Sequence, residues 1–330
     1  MYLDQNYLSN MAKARYNHRM ANGEREFWKA LFHDLKSAVV ADNIACPGSE
    51  FHEEESSLDR RTEAAVIRTA SELSLGLEFR LWDIMLDSLI EEAAYKFLGK
   101  TPPLIESWAI AFTSDPRAPV ESRLEEILGT KVRVDVSFSL PDEIIERRRQ
   151  SKREWVVDAE KALKRNACSS WYDELLVQKR AFIYVQYGPP ALLSLLKESS
   201  RGTQYDILNA SAKFEELCKK FYRLTTIGIT DFSFFCSDEV FNIPFVDIFC
   251  SLNAAYNFYH HKRKPRGSDL PDYAILATAI PYCDVVTTDK FMKELLVNIL
   301  HFDEKYDCQI FSASGEDRQA LQEFVRKINH

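Results

Sequence analysis

The chain of 330 residues carries 42 Lys and Arg against 50 Asp and Glu, a formal net charge of −8. Hydrophobic residues at 46%, with only 10 Gly and 12 Pro, exclude a disordered or fibrous polymer and describe a globular protein with material for a sizeable core. The acidic balance excludes a protein that coats nucleic acid non-specifically, since that affinity comes from excess Lys and Arg, but it leaves room for a nuclease with one local basic patch.

At roughly 150 residues per domain the length implies two domains, or one domain carrying a large insertion. No stretch approaches the roughly 20 apolar residues of a bilayer crossing, and Asp4 and Lys13 stand where a signal peptide would be basic or apolar, so a cytoplasmic chain is expected. The 7 cysteines are scattered, with no pair at zinc-site spacing, and read as reduced thiols.

The opening residues MYLD predict a short strand, followed from Asn6 by a helical pattern. In EREFWKALFHDLKSA (24–38), Phe27, Leu31 and Leu35 fall at i, i+4 and i+8, the spacing of one helix face. NIACP (43–47) predicts a second short strand, ended by Pro47 and Gly48, and Ser49 is a suitable N-cap for the helix EFHEEESSL. Strand, helix, strand, helix is the rhythm of a parallel α/β sheet.

From about Thr62 to Leu224 long helical patterns dominate: TEAAVIRTASELSLGLEFRLWDIMLDSLIEEAAYKFLG, EIIERRRQSKREWVVDAEKALKRN, DELLVQKRAFIYVQ and SAKFEELCKKFYRL. KVRVDVSFSL (131–140) interrupts them with the period-two alternation of a strand. Residues 62–224 therefore read as a mostly helical insertion in a discontinuous α/β domain made of 1–61 and 225–330. Near the C-terminus, residues 243–261 predict an amphipathic helix with Pro244 in its first turn. Then follow a basic loop KRKPRG, a buried short helix in SDLPDYAILATAI, a strand DVVTTD ending in an acid, a helix KFMKELLVNIL, a strand CQIFS and a final helix EDRQALQEFVRKI.

In an open parallel sheet, ligands collect at the carboxyl ends of the strands. Asp4 closes the first strand, the glutamates of FHEEESS follow the second, Asp269 and Asp272 open the buried helix, and Asp289 closes VVTT. Each has a plainer reading: Asp4 as a cap of the first helix, Asp269 and Asp272 as first-turn acids that complement the helix dipole. Within the glutamate run, Phe51 and Leu58 define an inner face that selects Glu55, with Glu54 next and Glu53 left to solvent. Asp284 lies about 16 Å from Asp289 if the chain between them is extended at ~3.3 Å per residue, too far to share an ion. Carboxylates gathered in this way suit Mg²⁺ or Mn²⁺, which prefer carboxylate and water ligands and serve phosphodiester hydrolysis.

LDQN, the acid-bearing helix after the second strand, and DLPDYAILATAIPYCDVVTTDKFM together resemble the PIN-domain nucleases, with their Asp-x-Asn opening, helical Glu, "D-x-x-I/L-A-x-A" helix and "T-x-D" strand end. The resemblance covers roughly residues 1–60 and 225–330, and most small family members are less than half this length. It implies an α/β fold with a PIN-like parallel sheet flanked by helices, carrying a large helical insertion. The implied activity is Mg²⁺- or Mn²⁺-dependent cleavage of RNA, with Asp4, Glu55, Asp272 and Asp289 as catalytic acids and Glu54 and Asp269 as further metal-ligand candidates. Bacterial members often serve as toxins or defence effectors. A DNA-directed 5′-nuclease and a catalytically inactive PIN-like RNA-binding or scaffold protein are the alternatives.

Candidate substrate contacts are Lys262, Arg263, Lys264 and Arg266 of the basic loop, which leads into the Asp269/Asp272 helix, together with Asn6 and His52. His52, near the start of its helix, reads either as an ordering group for a phosphate or a neighbouring carboxylate, or as a partly exposed helix-start residue. RRRQSKR (147–153) reads as a solvated helix face. The helical block is the expected seat of a protein regulator, and self-association is a further expected mode of partnering. The chain has no P-loop, GxGxxG, HExxH or GxSxG turn.

Overall fold

The computed structural model describes residues 1–20, 23–56, 61–105, 107–114, 142–163, 168–188, 204–259 and 263–329. The strand expected at 131–140, Lys262, and the side chains of Glu53 and Glu54 lie outside the described residues. Among the described residues no helix is long and apolar enough to cross a membrane.

Helix α1 (Gln5–Arg15) starts at Asp4, whose carboxylate accepts the Asn6 N–H, and buries Tyr7, Leu8 and Met11 against α2 (Glu24–Val40). Helix α2 answers with Trp28, Leu31, Phe32 and Leu35, all buried at i, i+3, i+4 and i+7. Helix α3 (Glu50–Ser56) begins as expected behind Ser49, whose hydroxyl accepts the Phe51 N–H at 3.1 Å. Helix α4 (Glu63–Ser74) then stops, and β1 (Leu77–Phe79) follows before α5 (Trp82–Phe97).

The long helical reading from Thr62 is therefore corrected. Leu75 and Gly76 adopt left-handed conformations at φ 48° and 85°, which end the helix. The strand after them is captured by β2 (Phe112–Ser114), which follows α6 (Ser107–Ala111), in an antiparallel pair running from Leu77↔Ser114 to Phe79↔Phe112. The strand expected at 43–47 is corrected too. Only Gly48 makes a bridge there, exchanging backbone hydrogen bonds with Leu77 and Phe79.

Further along come α7 (Asp142–Leu163), α8 (Trp171–Tyr187), α9 (Gln204–Ile227), a 3₁₀ turn at Phe232–Cys236, α10 (Asp238–Phe241) and α11 (Pro244–Tyr259). The C-terminal part follows the expected rhythm: α12 (Asp269–Ala279), β3 (Val285–Thr288), α13 (Lys290–Lys293) continuing as a π-helical turn (Glu294–Ile299), α14 (Phe302–Lys305), β4 (Gln309–Ser312) and α15 (Gly315–Ile328).

The architecture is mixed helix and sheet, with helix predominant and the sheets small. Strands β3 and β4 are parallel, Val285 opposite Gln309 through Thr288 opposite Ser312. Tyr2 joins β3 as a parallel bridge, donating to Val285 O at 2.8 Å and accepting from Thr287 N at 3.0 Å. The expected broad parallel sheet is thus represented, among the described residues, by two strands and this bridge, because only residues 1–3 are extended before α1 begins.

The chain divides into two compact units at different boundaries from those expected at 62 and 224. The first comprises Met1–Leu81, Ser107–Glu160 and Pro265–His330, and the second Trp82–Glu106 and Lys161–Lys264. Tyr7, Met11, Trp28, Leu31, Leu35, Val285, Leu321 and Val325 form the heart of the first unit's core. In the second, α8 packs on α11 through Phe182 and Phe249, 4.9 Å between ring centroids, and through a buried Lys179–Asp247 ion pair at 2.7 Å.

Candidate functional site

The first unit brings Asp4 and Asp289 to the same edge of its parallel pairing. Asp4 follows the extended residues beside β3, and its own N–H donates to the hydroxyl of Thr287 at 2.7 Å. Its carboxylate accepts from Asn6 Nδ2 at 2.8 Å, so Asn6 orients Asp4. Asp289, one residue past β3, caps α13 by accepting the Met292 N–H at 2.7 Å. The capping reading of Asp4 is thus also realised in the structure, and capping leaves each carboxylate with further acceptor capacity.

Asp272 lies in the first turn of α12 and Glu55 in the last turn of α3, both partly exposed. The carboxyl of Asp272 is pushed well above the ordinary carboxylate range, first by burial and then by the negative charges of Asp4, Glu55, Asp289 and Asp269. Asp4 is pushed up to about 6, chiefly by burial and further by Asp289, while its bonds from Asn6 act in the opposite direction. The Tyr2 hydroxyl, buried beneath them, is raised by burial and by Asp4, Glu55 and Asp272. These shifts place the four expected acids in one electrostatic neighbourhood, although they come from four separate segments of chain.

Asp269 stands apart in kind. It is fully buried, and its Oδ2 accepts the Arg266 backbone N–H at 2.8 Å, which closes the turn into α12. The donor chemistry of the remaining cluster, carboxylates that repel one another, fits a hard divalent cation. Among the described residues, no three Asp, Glu, His or Cys side chains are placed closely enough to hold one ion as they stand.

The substrate-contact expectations divide. Arg266 is exposed in the first unit, whereas Arg263 and Lys264 belong to the second. His52 is corrected as a phosphate contact and as a partly exposed residue. It is only 5% exposed, its Nε2 lies 2.8 Å from the Leu3 carbonyl, and burial holds it down to about 4, so it is neither accessible to a phosphate nor charged at neutral pH. Within RRRQSKR, Arg149 and Arg153 are exposed and both reach Glu146 on α7.

Sequence reasoning missed Thr287, whose acceptor role depends on pairing with a distant segment. It also missed Asp317, in the first turn of α15, which accepts the Ser312 hydroxyl at 2.6 Å and Lys293 Nζ at 2.7 Å. These partners hold the Asp317 carboxyl below its usual range despite partial burial, so this helix-start acid is ionised and already paired with a lysine of the chain. The acids at the start of EDRQALQEFVRKI were the available signal.

The comparisons with known proteins return no relative. The chain matches no family model, no curated protein and no solved structure.

Proposed function

We propose that the first unit is a PIN-like, metal-dependent nuclease that hydrolyses phosphodiester bonds in RNA. The observation that carries this reading is the raised carboxyl of Asp272, faced by the charges of Asp4, Glu55 and Asp289 at the edge of the parallel strands. Carboxylates gathered from separate segments are costly, because each raises the cost of ionising the next; the usual compensation is a cation. Asp4, Glu55, Asp272 and Asp289 would hold Mg²⁺ or Mn²⁺, which when bound supplies a water nucleophile at neutral pH and shields phosphate charge.

The chain's own residues contribute orientation. Asn6 and Thr287 fix Asp4, the Met292 N–H fixes Asp289, and the buried Asp269 shapes the turn that presents Asp272. Hydrolysis forms one P–O bond to water and breaks the one to the leaving oxygen, with the water's proton passing to that oxygen or to solvent. Arg266, exposed and three residues before Asp269, is a phosphate contact in this reading.

The test is cleavage of a mixed RNA pool and a matched DNA pool with Mg²⁺ or Mn²⁺, comparing the parent chain with Asp4→Ala, Asp272→Asn and an EDTA control. RNA cutting by the parent alone, abolished by EDTA, supports the reading; preferential DNA cutting moves it to a DNA-directed nuclease. The second reading is a catalytically inactive RNA-binding or scaffold protein. RNA binding without cutting, and without metal binding in calorimetry, is its expected outcome. A toxin or defence role, a cytoplasmic location, and a regulator bound through the helical block belong to the same proposal.

A further inference from the structure

The short helix α3 is joined to the chain on both sides of Asp4. His52 Nε2 lies 2.8 Å from the Leu3 carbonyl, and Gln5 Nε2 donates to Ser56 Oγ at 3.0 Å. A carbonyl only accepts, so Nε2 carries the imidazole proton and Nδ1 keeps its lone pair. His52 and Ser56 are separated by four residues and face the same side of α3, and Glu55 lies between them, three residues after His52.

The peptide group between Leu3 and Asp4 is consequently clamped at both ends. Its carbonyl accepts from His52 on α3, and its N–H donates to Thr287 on β3. The imidazole has little freedom, since it stacks on Tyr2 with ring planes 4° apart and centroids at 5.3 Å. Among the described residues its Nδ1 is buried without a hydrogen-bond partner, as is Gln5 Oε1. His52 also lines a cavity of about 20 Å³ with Ser49, Ser56, Ser71 and Glu78, room for about one water molecule. A phenylalanine would stack on Tyr2 without the cost of a buried lone pair, so packing alone gives no reason for histidine here; the donated hydrogen bond does.

Resting on the nuclease reading above, we propose that His52 is a positioning residue: as the neutral Nε2–H tautomer, and together with the Gln5–Ser56 hydrogen bond, it sets the separation of Glu55 from Asp4. It touches neither metal nor substrate; it acts through the backbone of residues 3 and 4. Groups that orient metal ligands from behind typically change metal affinity 10- to 100-fold when removed.

The test is Mn²⁺ calorimetry on the full chain and on His52→Phe, His52→Gln and Ser56→Ala, with circular dichroism to verify folding and ¹⁵N imidazole NMR on the parent. His52→Phe retains the stack and loses the donor, so Mn²⁺ affinity is expected to fall by about 10- to 100-fold. His52→Gln restores an N–H at the same reach and is expected to recover most of that loss. A folded His52→Phe that binds Mn²⁺ as the parent does, or an imidazole protonated at Nδ1, overturns the proposal. If His52→Phe does not fold, Ser56→Ala, which deletes a single oxygen, decides it: weakened binding supports the clamp and unchanged binding overturns it. A parent chain that binds no Mn²⁺ removes the metal reading itself and the clamp's role with it, an outcome distinct from loss confined to the variants.

Discussion

Thr287 and Asp4 are separated by 283 residues, yet the Thr287 hydroxyl accepts the Asp4 backbone N–H at 2.7 Å. Thr287 is fully buried in the middle of β3, so no solvent stands ready to replace that acceptor. Thr287→Val keeps the shape and removes the oxygen. Urea denaturation is expected to show a loss of about 1–3 kcal/mol, the cost of an unsatisfied buried donor, with Thr287→Ser recovering most of it.

The acids themselves are expected to destabilise the metal-free protein at neutral pH. Asp4 titrates at about 6 when folded, against an ordinary value of 3.8, so the folded state holds this proton more tightly than the unfolded chain. Its favourable contribution is complete below the unfolded value and is lost as pH rises through the folded one, a window from about 4 to about 6. Asp4→Asn, which keeps an acceptor for Asn6, should therefore raise the melting temperature at pH 7 and leave it nearly unchanged at pH 4. The full shift corresponds to a ceiling of about 3 kcal/mol, of which a partly exposed carboxyl realises only a fraction. Equal effects at both pH values would show that the gain comes from something other than the charge.

Metal should reverse that balance. Mn²⁺ at about 100 times its dissociation constant is expected to stabilise the parent chain by about 2.7 kcal/mol. In thermal melts Asp272→Asn should lose most of this gain while melting no lower than the parent in EDTA. An identical Mn²⁺ response in the two proteins would place the ion elsewhere.

The second unit offers an independent measurement. Lys179 and Asp247 pair at 2.7 Å between α8 and α11, each side chain less than a tenth exposed. Lys179→Met removes the cation beside a buried carboxylate and should cost about 3–5 kcal/mol, whereas Lys179→Met combined with Asp247→Leu should regain much of it, because an apolar pair carries no desolvation penalty. A double-mutant cycle with no coupling between the two sites would show that the pair is solvated in solution.

The elements nearest the site were legible because their determinants are local. The run of small apolar residues in YAILATA marks a buried helix, VVTT marks a strand, and the acids at their ends stand out beside them. Periodicity and end signals act over a few residues, so local sequence was enough to place α12, β3, β4 and α15, and to propose Asp4, Glu55, Asp272 and Asp289 as neighbours. The break at Leu75 and Gly76 was not legible, since β1 is a strand only through pairing with β2, more than 30 residues away. Nor were the states of single groups. The Leu3 carbonyl makes His52 a neutral donor, Lys293 and Ser312 hold Asp317 in its ionised form, and burial together with the charges of three other segments raises Asp272. These states follow from the folded arrangement, because desolvation and Coulomb interactions depend on which distant segments meet, and hydrophobic periodicity carries no record of that.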